Sequence, residues 1–143
     1  MTGDNNKELI NGLNEDLAAE YQAVIMYRTY ASLVSGPYRQ ELRAFFEGEI
    51  PDELAHAGYL ADKIVALGGM PAVEAAPIPI TKDNREMLEN TLKAEIDTIE
   101  RYTRRIDQAE QAGEIALKVQ LEDMILDEST HRDDIRRMLA GWR

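Results

Sequence analysis

The residues of this sequence best suited to metal chemistry are two copies of a short motif, Asp-Glu-x-x-His. The copies occupy positions 52–56 and 127–131 and contain the only two histidines of the chain. A Glu and a His three residues apart lie on one face of a helix, so each copy can direct a carboxylate and an imidazole toward the same point. The motif therefore predicts one metal-binding pair on each of two helices.

A solitary glutamate precedes each copy of the motif at the same distance. Glu20 lies 33 residues before Glu53. Glu95 lies 33 residues before Glu128, so every element of the first half recurs 75 residues later. Two Glu-x-x-His pairs with two further glutamates form the ligand set of a dinuclear iron or manganese site in a four-helix bundle. The predicted metal ligands are Glu20, Glu53, His56, Glu95, Glu128 and His131.

Four helices must position these ligands, and few β-branched runs or turn signals interrupt the sequence. Asp83 with Glu86 three residues later matches the capping box that starts a helix. Residues 69–82 hold three of the five prolines and are expected to be extended. The helices are predicted over about 6–34, from Pro37 to about 67, from Asp83 to Gly113, and from Gly113 to about 140.

The extended segment between the second and third helices sets the topology. Its roughly fourteen residues can span some 45 Å at about 3.3 Å per residue. A helix of about 28 residues is roughly 42 Å long, so the segment can run the length of the bundle and place the third helix parallel to the second. The sequence therefore predicts an all-α antiparallel four-helix bundle with a long crossover, formed as a single domain over 1–143.

The candidate ligands lie on helix faces that otherwise carry apolar residues at spacings of three and four, as in a buried seam. Tyr27 and Tyr102 occupy equivalent places on these seams. Glu49 of the second helix has Met124 as its counterpart in the fourth. Burying four mutually repelling glutamates is costly, and two divalent cations would neutralise them. The alternative is that the glutamates are surface residues on differently rotated helices and the histidines are ordinary core residues.

Composition excludes several classes of protein. The chain has 143 residues, no cysteine and a formal net charge of −11. Iron–sulfur clusters and thiolate zinc sites are therefore excluded, and the negative charge favours cations over nucleic acid or anionic membranes. No segment resembles a signal peptide or a membrane span, so we expect a cytoplasmic protein that binds neither nucleic acid nor membrane.

These motifs resemble those of the ferritin-like superfamily, and most of all its bacterioferritin branch. The matching residues are Glu20 with Tyr27, Asp52-Glu53-x-x-His56, Glu95-Ile96-Asp97 and Asp127-Glu128-x-x-His131. The resemblance covers nearly the whole chain and implies that Glu53 and Glu128 bridge two iron ions, with manganese possible in their place. The remaining ligands would form two pairs, Glu20 with His56 and Glu95 with His131.

The resemblance also implies an activity, the oxidation of Fe(II) by dioxygen or hydrogen peroxide in iron handling or storage. Such a ferroxidase-type di-iron oxidoreductase would form a homo-oligomer, a dimer or larger. Bacterioferritins carry a haem-ligating methionine where this chain has Leu54, so no haem is expected. The alternatives are a rubrerythrin-like peroxide reductase and a non-catalytic metal-binding bundle. Rubrerythrins share Tyr27 and Tyr102 but usually have a second glutamate where this chain has Thr98, and they add a cysteine-bearing domain that is missing here.

Two aspartates beside the bridging glutamates are expected to orient the histidines. A metal-ligating His commonly donates its other ring N–H to a carboxylate. We expect Asp52 to support His131 in this way. We expect Asp127 to support His56, and the alternative for each aspartate is an ordinary solvated surface residue.

Two further expectations concern the second helix. Pro51 leaves the carbonyl of Glu47 without its helical donor and predicts a kink or bulge between Glu47 and Glu53. Tyr27 leans toward the N-terminus of its helix and is predicted to donate a hydrogen bond to Glu49. Glu49 would then be a transient iron ligand or proton acceptor and Tyr27 an electron donor. The alternative is that Glu49 only satisfies a buried phenol.

Overall fold

The computed structural model describes the backbone of residues 3–142 and the side chains of residues 6–142. Within this range the chain forms four helices and no strand. The predicted all-α class is therefore confirmed, and the predicted helix ends differ from the observed ones by only a few residues. The helices are α1 (Gly3–Leu33), α2 (Arg39–Ala66), α3 (Asn84–Gln111) and α4 (Ile115–Ala140).

Short turns join the helices into two hairpins, α1 with α2 and α3 with α4, whose members pack closely together. Gly36 and Gly113 lie in these turns with φ of 82° and 76°, where a side chain would be strained. The predicted cap of α3 is present, because the Asp83 carboxylate accepts a hydrogen bond from the Glu86 N–H at 2.9 Å. This bond satisfies one of the free N–H groups at the start of the helix.

The crossover between α2 and α3 runs along α1 from near its beginning to its end. Consequently α3 begins beside the end of α1 and runs antiparallel to it, which makes α3 parallel to α2. The predicted long crossover is thus confirmed. Its hydrogen bonds with α1 and the turn after it join Asn14 to Met70, Ala18 to Ala76, Tyr30 to Pro79 and Ser35 to Asn84.

Two apolar clusters fill the bundle, one on each side of a polar layer. One cluster includes Leu13 and Leu60, and the other includes Met26, Phe46 and Ile135. On every helix a buried glutamate lies between the residues of the two clusters. Each large apolar side chain contributes about 1.5–3 kcal/mol when fully buried, so the clusters offset the cost of burying charge in the layer between them.

Helix α2 continues through Pro51 as one α-helix, without a bulge. The continuous helix contradicts a bulge between Glu47 and Glu53, whereas the kink expected there stays a prediction; Pro51 lies on an exposed face of α2. In the part of the chain that the structure describes, no helix combines the length and apolar character needed to cross a membrane.

Candidate metal centre

The polar layer contains four glutamates and two histidines that are almost completely buried. Each of α1 and α3 contributes one glutamate, whereas α2 and α4 each contribute a Glu-x-x-His pair. None of the six residues is more than 4% exposed. All six predicted ligands therefore meet in one layer. They are Glu20, Glu53, His56, Glu95, Glu128 and His131.

Donor atoms of these residues gather into two adjacent groups. One group contains Glu20 and His56, and the other contains Glu95 and His131. Both groups include Glu53 and Glu128, and within each group the four donor atoms lie within 4.8 Å of one another. Two neighbouring cations could thus share the two central glutamates. Each cation would in addition have one glutamate and one histidine of its own.

One buried atom of each of the six residues lacks a hydrogen-bond partner among the residues that the structure describes. A buried polar atom without a partner is costly, and six of them gathered in one layer require an explanation such as bound ions. These donors are of the carboxylate and imidazole types that suit iron and manganese, so the residues fit two divalent cations. The atoms are Glu20 Oε2, Glu53 Oε1, His56 Nδ1, Glu95 Oε2, Glu128 Oε1 and His131 Nδ1.

The unpaired histidine nitrogens face the unpaired carboxylate oxygens. His56 Nδ1 lies 3.1 Å from Glu128 Oε1 and 3.7 Å from Glu20 Oε2. His131 Nδ1 lies 3.3 Å from Glu53 Oε1, in the equivalent arrangement. Atoms that approach one another without hydrogen-bond geometry can be ligands of a common ion.

The other nitrogen of each imidazole contacts an aspartate from the facing helix. His56 Nε2 lies 2.9 Å from Asp127 Oδ2. His131 Nε2 lies 3.1 Å from Asp52 Oδ2. Both predicted contacts are present. A proton on Nε2 that is donated to the carboxylate leaves the Nδ1 lone pair free for a cation.

The two tyrosines bond to glutamates across the α1–α3 crossing. The Tyr27 hydroxyl donates to Glu95, and the Tyr102 hydroxyl donates to Glu20. The predicted bond from Tyr27 to Glu49 is therefore wrong. Because α1 and α3 cross antiparallel, Tyr27, which lies seven residues or about two helical turns beyond Glu20, is opposite the α3 glutamate, and this register decides the partner.

Glu49 instead contacts a histidine of the layer. Its Oε2 atom lies 2.6 Å from His131 Nε2, and its side chain is 13% exposed. Met124 occupies the equivalent position on α4 and is fully buried. The two tyrosines therefore have equivalent partners, and the two halves differ at His131 instead, which Glu49 contacts.

The protonation of the layer follows from burial and from close carboxylates. Burial alone would lower the pKa of both imidazoles. The surrounding carboxylates, Glu128 foremost, outweigh it and raise the pKa of His56 to about 11. Glu49 has the same effect on His131 and raises its pKa to about 9. Burial raises the pKa of Glu53 and Glu128. A cation would have to displace protons from this layer.

A buried ion pair next to the layer was not predicted. Arg105 donates from Nε to Asp16 Oδ2 at 2.8 Å, and the two residues are 89 positions apart. Asp16 lies one helical turn before Glu20, and Arg105 lies one turn after Tyr102. The only sequence signal was a carboxylate four residues from a seam glutamate, which does not reveal its partner.

The chain matches the family model described as a ferritin-like domain over residues 10–143. It belongs to the ferritin-like domain family. A bacterioferritin from Streptomyces coelicolor is 29% identical over 140 residues, which cover 97% of this chain and 83% of the relative. A bacterioferritin from Mycobacterium tuberculosis is also 29% identical, with 97% of this chain and 87% of the relative covered.

Solved structures of other proteins have the same fold. A crystal structure described as ferritin-like, diiron-carboxylate proteins from Bacillus anthracis superposes with a TM-score of 0.94 at 50% identity, covering 97% of this chain and 99% of that one. A Dps protein from Thermosynechococcus elongatus has a TM-score of 0.90 at 20% identity, covering 97% and 94%. The likeness to the Dps protein shows only a shared fold.

Proposed function

We propose that this ferritin-like protein binds two Fe(II) ions in the polar layer and oxidises them with dioxygen or hydrogen peroxide. The observation that carries the proposal is the set of six unpaired buried atoms, one from each of the six residues. The diiron-carboxylate description of the Bacillus anthracis structure, at 50% identity, supports iron as the metal, with manganese as a possible substitute. No haem is included in the proposal.

Each residue of the polar layer would have a separate role in holding the two iron ions. Glu53 and Glu128, which belong to both donor groups, would bridge the two ions and hold them close together. Each outer glutamate, held by a tyrosine hydroxyl, would complete one position together with a histidine. Each aspartate would keep its imidazole turned with Nδ1 inward. Two bound Fe(II) ions would supply two electrons to the oxidant.

Tyr27 and Glu49 are the proposed catalytic residues. The Tyr27 phenol lies beside Glu95 within the layer and could supply an electron during oxidant reduction. Glu49 is partly exposed and contacts His131, so it could accept a proton or hold an incoming ion briefly. Reduction of hydrogen peroxide to two water molecules consumes two electrons and two protons, so proton transfer at the edge of the layer is part of the reaction.

Iron handling or storage in the cytoplasm by a homo-oligomer is part of the same proposal. The curated bacterioferritin relatives support this role. Storage of a mineral needs an enclosed cavity, so the native mass of the assembly before and after iron loading tests this part. An assembly too small to enclose a cavity would restrict the role to iron oxidation.

The central test is an anaerobic Fe(II) titration followed by stopped-flow mixing with dioxygen or with hydrogen peroxide. We expect two Fe(II) per chain to bind and to be oxidised rapidly. Replacing both bridging residues, with Glu53→Gln and Glu128→Gln, should abolish tight binding and fast oxidation. Glu122→Gln, an exposed change on the same helix as Glu128, is the matched control and should oxidise iron normally. Equal behaviour of the two variants would overturn the proposal.

A peroxide reductase is the second candidate, because a tyrosine holds the outer glutamate at both positions. Faster oxidation by peroxide than by dioxygen, with repeated turnover when a reductant is added, would favour it. Binding of two ions without oxidation by either oxidant would leave a non-catalytic metal-binding bundle.

A further inference from the structure

The two donor groups contain the same residue types but have different surroundings. On the side of Glu95 and His131, an additional carboxylate is present, since Glu49 Oε2 lies 2.6 Å from His131 Nε2. The equivalent residue on the side of His56 is Met124, which is uncharged and fully buried. His131 Nε2 thus contacts both Glu49 and Asp52, whereas its counterpart contacts one aspartate.

The side of Glu20 and His56 has cationic neighbours instead. Arg105 binds Asp16 through two contacts, Nε to Oδ2 at 2.8 Å and Nη2 to Oδ1 at 3.3 Å. Arg101 Nε adds a contact of 3.6 Å with Asp16 Oδ1. One aspartate and two arginines leave one net positive charge beside the turn that carries Glu20.

The position of Arg105 is fixed by its surroundings. It is 4% exposed, and its Nη1 atom donates to Gln108 at 2.7 Å. A Cβ atom at Gly12 would lie 2.0 Å from Nη1, so only glycine leaves room for the guanidinium. Glu15 Oε2 lies 3.8 Å from Arg105 Nη2, but the Glu15 side chain is 70% exposed, so solvent screens its charge.

The charges of Asp16, Arg101 and Arg105 have no counterpart at the repeat-related positions beside Glu95. The residues 75 positions from Asp16, Arg105 and Arg101 are Thr91, Tyr30 and Met26, and all three are buried. Thr91 donates to the Met87 carbonyl within its own helix. The side of Glu95 therefore gains a negative charge and has no arginine at these three equivalent positions. The arginines of this half that contact Glu47, Arg28 and Arg43, are 47% and 41% exposed, so solvent screens their charges.

Both differences change cation affinity in the same direction. A carboxylate near a ligand attracts a divalent cation, and a net positive charge repels it. The single proton on His131 Nε2 is shared with Asp52, and Glu49 Oε2 has no hydrogen-bond partner among the described residues, so Glu49 acts through its charge. The contact of Glu49 with His131 is direct, so we assign it the larger effect.

We infer that the two positions fill in order, the first cation binding with Glu95 and His131 and the second with Glu20 and His56. The inference rests on the proposed function, because it concerns the same two positions. It makes Glu49 a residue that sets the order of loading and not only a proton acceptor.

Mn(II) is the probe for the test, with the purified protein free of metal and dioxygen. Binding is followed by calorimetry, and crystals with one Mn(II) per chain are measured by anomalous diffraction. We expect two unequal affinities and a larger anomalous peak between Glu95 and His131. Equal peaks, or a larger peak between Glu20 and His56, would overturn the order while leaving two-metal binding intact.

Three variants separate the causes. Glu49→Gln should weaken the first binding step about tenfold or more and bring the two affinities together. Met124→Leu changes the equivalent position without a change of charge and should leave both affinities unaltered. Arg101→Gln should strengthen the second step a few-fold. Equal effects of Glu49→Gln and Met124→Leu would overturn the inference, and no Mn(II) binding to the unaltered chain would overturn the proposed function itself.

Discussion

His56 Nε2 lies 2.9 Å from Asp127 Oδ2, which connects α2 to α4 at the edge of the polar layer. The same arrangement recurs between His131 and Asp52 at 3.1 Å. Each aspartate directly precedes one of the two central glutamates in the chain, so each Asp-Glu dipeptide has two roles in the layer. Its glutamate enters the layer, and its aspartate orients the histidine that belongs to the other motif.

Removing one of these aspartates should weaken metal binding without unfolding the bundle. Asp127→Asn takes the charge from the partner of His56, so the imidazole becomes a poorer and less well oriented donor. We expect a loss of about 10–100-fold in Mn(II) affinity, measured by calorimetry. Asp123→Asn is the matched control, since Asp123 is exposed one turn earlier on the same helix. Similar losses in both variants would mean that charge alone, and not contact with the ring, matters.

Two equivalents of Fe(II) or Mn(II) per chain should raise the melting temperature. A cation that binds only the folded state stabilises it, by about 2.7 kcal/mol at a hundredfold excess over Kd. For a chain of this size that corresponds to roughly 5–10 °C. Differential scanning calorimetry measures the shift, with Mg(II) as the control for general ionic effects. An unchanged melting curve with saturating Mn(II) would contradict a buried site formed by these six residues.

The metal-free protein should lose stability as the pH rises above neutrality. The pKa values of His56 and His131 are raised in the folded protein, to about 11 and about 9, from 6.5. Their stabilising contribution is complete below pH 6.5 and decreases as the pH rises, disappearing above about 9 for His131 and about 11 for His56. Urea unfolding at several pH values measures this slope.

The metal-loaded protein should show the opposite trend over the same range. A ligating imidazole must be neutral, so a cation competes with protons at low pH and binds more tightly as the pH rises. The increase in melting temperature caused by Mn(II) should therefore grow from pH 6.5 to about 9. A double variant, His56→Gln with His131→Gln, should have a flatter pH dependence when metal-free. A slope unchanged by these substitutions would show that other groups titrate.

Helix periodicity predicted the ligand layer, because the spacing of residues within one helix is enough to show which face of that helix each ligand occupies. Spacings of three and four put Glu53 and His56 on one face regardless of how the helices pack. The contact between Asp52 and His131 joins two helices, but it was predictable because a shared metal site brings the two motifs together and a ligating histidine commonly donates to a carboxylate.

Contacts that depend on the register between helices were not predictable. Tyr27 bonds to Glu95 and not to Glu49, because the antiparallel crossing of α1 and α3 determines which residues face each other. The pair of Asp16 and Arg105 depends on the same crossing and joins residues 89 positions apart. A periodic pattern identifies the face of a helix but not its axial position against a neighbour.

Gly12 and Gly58 should respond in opposite ways to replacement by alanine. Both glycines lie inside helices, where alanine is intrinsically favoured by about 0.5–1 kcal/mol. At Gly58 an added Cβ would meet no atom within 4 Å beyond its chain neighbours and the local helix backbone, so Gly58→Ala should stabilise the protein by about that amount. At Gly12 the added Cβ would lie 2.0 Å from Arg105 Nη1 and 2.3 Å from Cζ.

The guanidinium would then have to leave Gly12, and its bonds to the buried carboxylate of Asp16 would be lengthened or lost. An unpaired buried charge is costly, so Gly12→Ala should destabilise the protein by about 1–3 kcal/mol despite the better helix propensity. Urea unfolding of both variants measures the two changes under identical conditions. If Gly12→Ala were as stabilising as Gly58→Ala, Arg105 could move freely, and its charge would not be held beside Glu20.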